Sequence, residues 1–406
     1  MDYNKIMQED SKIIVGLDVG TSAVKAVVGQ VKDNEITIIG VGQSVTSGMR
    51  KGVVTDINNL SQSIDQALAQ AEKSSGEEIH FVTVNIGGMS VMSTKTDSMI
   101  AVAGQEITAE EVERLKELAT AGVSSNRSIL SVIPYEFILD GQAGIKDPIG
   151  MSGTRLEVKV NVVSTLSPHL DGIRKAVEMA NSEINQTVVS SIAASKAVLT
   201  EKQKENGVML LDLGAATTGI AIFVDGELQY TTSLSIGSNT ITNDLALKLQ
   251  INPDVAEEVK TNLASAIFSD HNRLTSIKFD KQTYEFHQSD IDETVRARLN
   301  DMFKLINHKL KESGYAGKLP SGVVLTGGGA RLKGIENYAK NALGLVTKVA
   351  NPQYQFKGLT DKISGVEYIT AVGLLLYDYS ANLQNSTVNT RAQDGILKGL
   401  KRFFKR

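Results

Sequence analysis

Residues 12–31 read KIIVGLDVGTSAVKAVVGQV, and residues 208–226 read VMLLDLGAATTGIAIFVDG. In both stretches an apolar strand ends in Asp-x-Gly, a short turn of small residues follows, and a second apolar strand begins. A pattern of this complexity that occurs once in each half of the chain indicates a duplicated domain rather than a solenoid. We therefore expect an α/β fold built from two related halves.

The turns of the two hairpins are candidate phosphate sites. Small residues at such a turn allow backbone N–H groups to approach phosphate oxygens closely, and the hydroxyls of Thr21 and Ser22 can add donors. Lys25 lies on the returning strand, where it can pair with a β- or γ-phosphate. Asp18 and Asp212 can hold Mg²⁺ through water, because Mg²⁺ keeps much of its hydration shell in proteins. One hairpin alone is more simply an ordinary turn with an aspartate, but the pair favours a nucleotide site.

A third candidate element is the glycine triplet of VVLTGGGARLKGI, residues 323–335. An apolar strand runs into Gly327–Gly329, and we expect a helix to start near Arg331. Glycines here allow a base and a ribose to lie flat against the backbone, although close helix–strand packing also selects glycine. Glu257 and Lys260 share one face of a predicted helix, where a surface ion pair is the plain alternative to a ligand contact. The P-loop motif is absent, which excludes a P-loop protein.

The composition of the 406-residue chain is that of a globular protein of two or more domains, with 41% hydrophobic and 22% charged residues. Cysteine is absent, which excludes a disulfide scaffold, thiolate metal sites and a cysteine nucleophile. The five histidines are not at metal-ligand spacing, so we expect no zinc site. No apolar stretch is long enough to cross a membrane, and the polar start of the chain does not resemble a signal peptide.

The last eleven residues carry five of the 42 basic residues of the chain and none of its 46 acidic ones. An acidic body with a basic tail does not fit a nucleic-acid-binding protein, in which basic residues spread over a folded domain. On a helical projection at about 100° per residue, the apolar and basic side chains of the tail fall on opposite sides. This pattern indicates an interfacial membrane anchor; a helix docked on the body and a calmodulin-type target are the alternatives. The apolar side comprises Ile396, Leu397, Leu400, Phe403 and Phe404, and the basic side comprises Lys398, Lys401, Arg402, Lys405 and Arg406.

With two phosphate hairpins and a glycine triplet in this order, the chain resembles the superfamily of actin, sugar-kinase and heat-shock-chaperone ATPases. Residues 127–158, RSILSVIPYEFILDGQAGIKDPIGMSGTRLEV, are similar to the inserted subdomain, called 1C, of the FtsA family of bacterial actin-like cell-division proteins. The segments SSIAASKAVL (190–199) and YITAVGLLLY (368–377) resemble the two helices that connect the halves. The resemblance implies an actin-like ATPase fold, with two duplicated domains around a nucleotide cleft, an inserted α+β subdomain and a C-terminal amphipathic helix.

The resemblance covers nearly the whole chain and also implies its domain division. The polar composition of residues 380–393, SANLQNSTVNTRAQ, is typical of a linker. We expect domain I in residues 1–84 and 163–197, the inserted subdomain in 85–162, domain II in 198–379 with a 2B-like part at about 238–320, a flexible linker in 380–393, and an amphipathic membrane-targeting helix in 394–406.

Carried over position by position, the resemblance implies a site for ATP with Mg²⁺. Many family members have Asp-x-Gly-Gly-Gly-Thr in the second hairpin, whereas this chain has alanine at 215 and 216, where a positive φ is costly. Arg298 lies where the family binds the FtsZ tail, although an exposed, solvated arginine is the plain alternative. The first phosphate loop would comprise Asp18, Gly20, Thr21, Ser22 and Lys25, the second Asp212, Gly214, Ala215, Ala216 and Thr217, the adenosine pocket Gly327, Gly328 and Gly329, and the ribose and adenine contacts Glu257 and Lys260.

The resemblance implies a cell-division protein that forms ATP-dependent filaments on the cytoplasmic side of the plasma membrane at the division site. It implies tethering of FtsZ through its C-terminal peptide and recruitment of later division proteins, with anionic lipids as a further partner and no nucleic acid. No general base for water stands out, so we expect at most a slow ATPase coupled to assembly. Two other classes stay open: a PilM-type pilus-assembly scaffold that binds a peptide of an inner-membrane partner, and a small-molecule kinase, for which no acceptor-site carboxylate is evident.

Overall fold

The computed structural model describes residues 12–104, 106–268, 273–352 and 354–380. The amphipathic helix expected at 394–406 and all but the first residue of the expected linker lie outside these ranges. The strands are, in chain order, β1 (Lys12–Val19), β2 (Ala23–Lys32), β3 (Glu35–Val45), β4 (Met49–Arg50), β5 (Val53–Val54), β6 (Phe81–Ile86), β7 (Met92–Ala101), β8 (Arg127–Leu139), β9 (Gln142–Ile145), β10 (Arg155–Leu166), β11 (Glu183–Val189), β12 (Val208–Leu213), β13 (Thr218–Val224), β14 (Glu227–Leu234), β15 (Leu274–Phe279), β16 (Gln282–His287), β17 (Val323–Thr326), β18 (Thr347–Val349) and β19 (Lys357–Gly358).

Helices cover the sheets and connect the two halves. The α-helices are α1 (Ile57–Ser75), α2 (Ala109–Ala119), α3 (Ser167–Met179), α4 (Ser190–Val198), α5 (Glu201–Asn206), α6 (Asn239–Leu249), α7 (Pro253–Leu263), α8 (Gln288–Glu312), α9 (Ile335–Leu343) and α10 (369–380). Short 3₁₀ helices cover Gly328–Arg331, Thr360–Ile363 and Val366–Tyr368. In the part of the chain that the structure describes, no helix has the length and apolar character that a bilayer crossing requires.

The two halves share one sheet topology. In the first half the strand order is β11-β6-β1-β2-β3-β19, and in the second half it begins β18-β17-β12-β13-β14. Each half contains an antiparallel meander of three strands, and a further strand pairs in parallel with the first strand of the meander. This further strand is β6 beside β1 in the first half and β17 beside β12 in the second. The duplicated α/β fold predicted from the two hairpins is therefore confirmed, and each half contributes its hairpin turn at the same place in its sheet.

The segment between β6 and α3 forms the inserted subdomain, which has its own small core. Strands β7, β10, β8 and β9 pack against α2, and buried side chains such as Leu115, Leu156 and Val158 lie between them. The α2 helix begins with the expected capping box of Thr108 and Glu111. The sheet of the subdomain continues into the second half through one antiparallel pair, in which Met92 lies opposite Thr232.

Helices α4 and α10 cross at the boundary between the two halves. An added Cβ on Gly373 of α10 would lie 1.9 Å from the carbonyl oxygen of Ala193 on α4, so only glycine allows this approach. Gly16 of β1 is similarly close to Ala371 of α10. The two helices thus pack between the two sheets. A cleft remains between the turn of β1–β2 and the turn of β12–β13.

Candidate nucleotide site

The turns of the two hairpins have the same backbone geometry. The Gly20 N–H donates to the Ala23 carbonyl at 3.1 Å, and the Gly214 N–H donates to the Thr217 carbonyl at 2.9 Å. A Cβ at Gly20 or Gly214 would lie 2.9 or 2.8 Å from the same carbonyl oxygen, so glycine is required at both positions. The sequence repeat is therefore also a repeat of local structure.

The alanines of the second hairpin do not strain its turn. None of residues 212–217 has a positive φ, so the expected cost of alanine at this place does not arise. The carbonyl oxygens of Gly214 and Ala215 accept the N–H groups of Ser238 and Asn239, at 3.0 and 2.7 Å, at the start of α6. These bonds turn the carbonyl oxygens toward α6, which leaves the opposite side of the turn for an anion.

Asp18 and Asp212 lie at the ends of β1 and β12, on the two sides of the cleft. Burial raises the pKa of Asp18, and burial together with the negative charge of Asp18 raises the pKa of Asp212 to about 7. Lys25 lies opposite Asp18 in the hairpin, with its Nζ 3.9 Å from Asp18 Oδ2, and offsets part of this charge. The two carboxylates therefore form a site at which a cation is electrostatically favoured.

A third side of the cleft is formed by the glycine turn after β17. Gly327 has a φ of +79°, and a Cβ there would lie 2.5 Å from Asp212 Oδ1, so only glycine fits beside the aspartate. A Cβ at Gly328 would have open space around it. The helix expected near Arg331 begins differently, because residues Gly328–Arg331 form a 3₁₀ helix and α9 starts only at Ile335.

Helices α6 and α7 complete the cleft with a compact polar cluster. Lys260 Nζ donates to Glu257 Oε2 at 2.6 Å and to Thr242 Oγ1 at 2.9 Å, and Thr242 Oγ1 donates to the same Glu257 oxygen at 2.6 Å. Only 12% of the Lys260 side chain is exposed. Because Thr242 holds both charged groups at the cavity wall, the pair differs from the mobile surface ion pair that was the plain alternative.

These elements surround one cavity of about 620 Å³. Every residue predicted to bind nucleotide lines it except Ala216, which does not. Within the described residues, no three His, Cys, Asp or Glu side chains are grouped to hold a metal directly. Two turns of small residues, a glycine wall and two buried carboxylates around one cavity are suited to a nucleotide.

Known proteins with the same sequence features identify the family. A family model described as cell division protein FtsA matches residues 209–373, and one described as the SHS2 domain inserted in FTSA matches residues 88–164. Cell division protein FtsA of Pseudomonas aeruginosa is 34% identical over 91% of this chain and 90% of its own length. FtsA of Escherichia coli K12 is 31% identical over 98% of both chains.

The chain belongs to the FtsA family of cell division proteins. Solved structures with the same fold include a PilM–PilN type IV pilus biogenesis complex, with a TM-score of 0.68, 17% identity and coverage of 90% of this chain and 98% of that chain. MreB5 of Spiroplasma citri bound to ADP has a TM-score of 0.57 at 13% identity, covering 93% and 98% of the two chains. At these identities the likeness shows the actin-like fold alone, which confirms the predicted fold class.

Arg298, the residue carried over from the FtsZ-tail surface of the FtsA family, lies on α8 and outside the nucleotide cavity. Its Nε donates to Asp244 Oδ2 at 2.7 Å, and its Nη1 lies 3.8 Å from Asp301 Oδ2. About 28% of the side chain is exposed. Arg298 is therefore neither freely solvated nor buried, because Asp244 and Asp301 hold its guanidinium and the bond to Asp244 ties α8 to α6.

A second groove, of about 490 Å³, lies beside another face of α8. Arg296 stacks its guanidinium 4.4 Å from the ring centroid of Phe268, and the Tyr338 hydroxyl donates to Asn300 Oδ1 at 2.6 Å. The exposed side chain of Ile267 adds an apolar edge. The groove thus combines a cation, aromatic rings and an amide, and the sequence patterns did not indicate it.

The sequence patterns also missed Asn85, a side chain of the cavity wall, and Thr242, which supports two residues of that wall. Asn85 lies in the apolar strand β6, is 5% exposed, and donates from Nδ2 to Asp18 Oδ1 at 2.7 Å. Thr242 links Glu257 and Lys260. The only amide in a mostly apolar strand was a usable signal for Asn85, whereas nothing in its local sequence marks Thr242.

Proposed function

We propose that this member of the FtsA family binds ATP with Mg²⁺ in the cleft and, in that state, assembles head to tail into filaments. The filaments lie on the cytoplasmic side of the plasma membrane at the division site, tether FtsZ there, and recruit later division proteins. The observation that carries the proposal is the meeting of two matching turns, a glycine turn and two carboxylates around one cavity. The domain division expected from the sequence is part of the same proposal.

In the proposed complex the two turns hold the phosphates. Their N–H groups and the hydroxyls of Thr21 and Thr217 donate to phosphate oxygens, and Lys25 moves from Asp18 toward the β- or γ-phosphate. Asp18 and Asp212 hold the hydration shell of Mg²⁺, which when bound neutralises phosphate charge. The adenosine lies along Gly327, Gly328 and Gly329, with Glu257 and Lys260 at the ribose and adenine.

The proposal includes at most slow turnover of ATP, and the acidic side chains that line the cavity support it. Asp18 and Asp212 serve Mg²⁺ in this proposal. Glu257 accepts hydrogen bonds from Thr242 and Lys260, and the carboxylate of Glu367 lies 3.5 Å from Arg331. Each carboxylate of the described cavity wall therefore already has a partner or a proposed role, which supports at most slow hydrolysis.

FtsZ tethering would use a peptide surface on α8, and the structure offers two places for it. One is the partly exposed side chain of Arg298, and the other is the groove beside Arg296 and Phe268. We would compare Arg298→Ala and Arg296→Ala in fluorescence anisotropy with a labelled FtsZ C-terminal peptide. If only Arg298→Ala binds the peptide more weakly, the FtsZ site is at Arg298, as the family resemblance implies. If only Arg296→Ala binds more weakly, the site is the groove. If both variants bind like wild type, α8 does not bind the FtsZ peptide.

The tail supplies the proposed membrane contact. Each basic residue contributes roughly 1 kcal/mol to binding at an anionic leaflet. Burial of the apolar side chains in the membrane contributes about 25 cal/mol for each Å² of apolar surface. Ordering the segment costs about 1–2 kcal/mol per residue, so a single tail should bind reversibly. A row of tails on a filament binds far more tightly through effective concentration, and the anchor therefore responds to assembly.

Recruitment of later division proteins is proposed for the inserted subdomain. Its surface exposes the apolar side chains of Met99, Leu118 and Ile149, at 58%, 47% and 51%. Apolar side chains on a small subdomain are suited to contacts with partners. No observation favours the PilM-type alternative, since that relation is one of fold at 17% identity.

The deciding experiment is negative-stain electron microscopy of the protein with ATP on an anionic lipid monolayer. Filaments with wild type support the cleft, the assembly surface and the anchor together. The Lys25→Ala variant should form no filaments, because it lacks the cation proposed to pair with the ATP phosphates. The Lys32→Ala variant should still form them, because Lys32 is an exposed residue at the end of the same strand. If no filaments form on the monolayer but the protein still binds ATP and the FtsZ peptide, the proposed filament is wrong and the proposed FtsZ tether stands.

A further inference from the structure

We propose that Asn85 is a positioning residue that orients Asp18 for Mg²⁺-dependent nucleotide binding. The inference rests on the proposed function and extends it to a residue beside Asp18 in the cavity wall. Asn85 lies on β6, a neighbour of β1 in the sheet. Its side chain is buried, with 5% exposed, and reaches the cavity wall between the two hairpins.

The hydrogen bonds of Asn85 define one orientation of its amide group. Its Oδ1 accepts the Val19 N–H at 2.6 Å, and its Nδ2 donates to Asp18 Oδ1 at 2.7 Å and to Ser190 Oγ at 3.1 Å. A reversed amide would set an oxygen against a carboxylate and an amino group against an N–H. The donor therefore faces Asp18, as a carboxylate requires.

This arrangement assigns different roles to the two oxygens of Asp18. Oδ1 is bound by the amide of Asn85, and Oδ2 faces Lys25 at 3.9 Å on the cavity side. An aspartate held through one oxygen presents the other in a fixed direction, and side chains behind metal-binding carboxylates commonly act in this way. Asn85 thus prepares Asp18 before a hydrated Mg²⁺ arrives.

Asn85 also joins the site to the connection between the halves. Ser190, its third partner, is the first residue of α4, the helix that crosses α10. The neighbours of Asn85 in β6, Val84 and Ile86, are apolar and buried. A polar amide in such a strand is costly unless every hydrogen-bonding group is satisfied, and here its partners are Asp18, the Val19 backbone and Ser190.

The test is the effect of Mg²⁺ on ATP affinity, measured with a fluorescent ATP analogue in Mg²⁺ and in EDTA. The dissociation constant in EDTA divided by the one in Mg²⁺ reports how strongly Mg²⁺ promotes ATP binding. This ratio is insensitive to a general loss of binding. In Asn85→Ala we expect this ratio to fall by about tenfold or more. Thr83→Val is the matched control, because Thr83 is buried on the same face of the same strand and does not line the cavity.

A second variant separates the loss of the hydrogen bonds of Asn85 from the cavity that alanine would leave. Asn85→Leu keeps the branching of the side chain and fills the space without hydrogen bonds, and thermal melting verifies that both variants are folded. A lowered ratio in the folded variants supports the inference. If wild type binds ATP with a clear Mg²⁺ effect and the variants keep its ratio, Asn85 is only structural. If wild type binds no ATP under either condition, the proposed function itself fails.

Discussion

Replacing Asp212 by asparagine should stabilise the nucleotide-free protein at neutral and alkaline pH. Burial and the negative charge of Asp18 raise the pKa of Asp212 from 3.8 to about 7. The Asp212 carboxylate is therefore ionised at pH 8 in an environment that opposes its charge. Asparagine has nearly the same shape and removes this charge.

The magnitude and sign follow from the two pKa values. Between pH 4 and 7 the folded state keeps a proton that the unfolded state has lost, so the free energy of unfolding falls as the pH rises. Above pH 7 the penalty is complete, and a difference of about 3 pKa units corresponds to about 4 kcal/mol. Because Asp212 keeps partial solvent contact in the cleft, we expect Asp212→Asn to gain about 2–4 kcal/mol at pH 8 and almost nothing near pH 4.

Urea unfolding of wild type and Asp212→Asn at several pH values, without nucleotide and with EDTA, measures this difference. Asp33→Asn is the control, because Asp33 lies in an exposed turn with a φ of +52°, which asparagine also tolerates. Asp212→Asn should also lose the Mg²⁺ effect on ATP affinity. Stability curves of wild type and Asp212→Asn that run parallel from pH 4 to pH 8 would refute the electrostatic reasoning.

Two further predictions concern packing between the parts of the fold. Gly373→Ala places a methyl group 1.9 Å from the Ala193 carbonyl oxygen, and we expect its free energy of unfolding in urea to fall by about 1–3 kcal/mol or more. Gly122→Ala, which meets open space, should change by less than about 0.5 kcal/mol; equal losses would contradict the close helix crossing. The pair Met92→Cys and Thr232→Cys lies opposite across an antiparallel pair in a cysteine-free chain. Oxidation should give one intramolecular cross-link, seen as a gel shift that Met92→Cys alone lacks, and its absence would argue against the junction.

Much of the nucleotide cleft could be predicted because its parts are local. A hairpin with a short turn brings its two strand ends together, so Asp18 and Lys25 are opposite each other as soon as the hairpin forms. The second hairpin repeats the same argument. The glycine triplet after an apolar strand likewise reports a close backbone approach, which the contact of Gly327 with Asp212 explains.

The supporting residues could not be predicted in the same way. Asn85 meets Asp18 only because β6 pairs in parallel with β1, and Thr242 meets Glu257 only because α6 packs on α7. For Arg298 the sequence left a binding role and a solvated side chain open, and it did not indicate that Asp244 from another helix holds it. Each of these contacts depends on how separate elements dock.

The sequence by itself determined the duplicated hairpins, their turns of small residues and the glycine turn that follows an apolar strand. Those features depend on residue type, turn chemistry and periodicity over a few positions, which the local chain encodes. Only the tertiary structure decided that the inserted subdomain joins the second sheet through β7 and β14, that α4 and α10 cross at a glycine, and that Asn85 lies beside Asp18. The physical reason is that such pairings depend on which distant apolar faces bury each other, and no single stretch of sequence contains both faces.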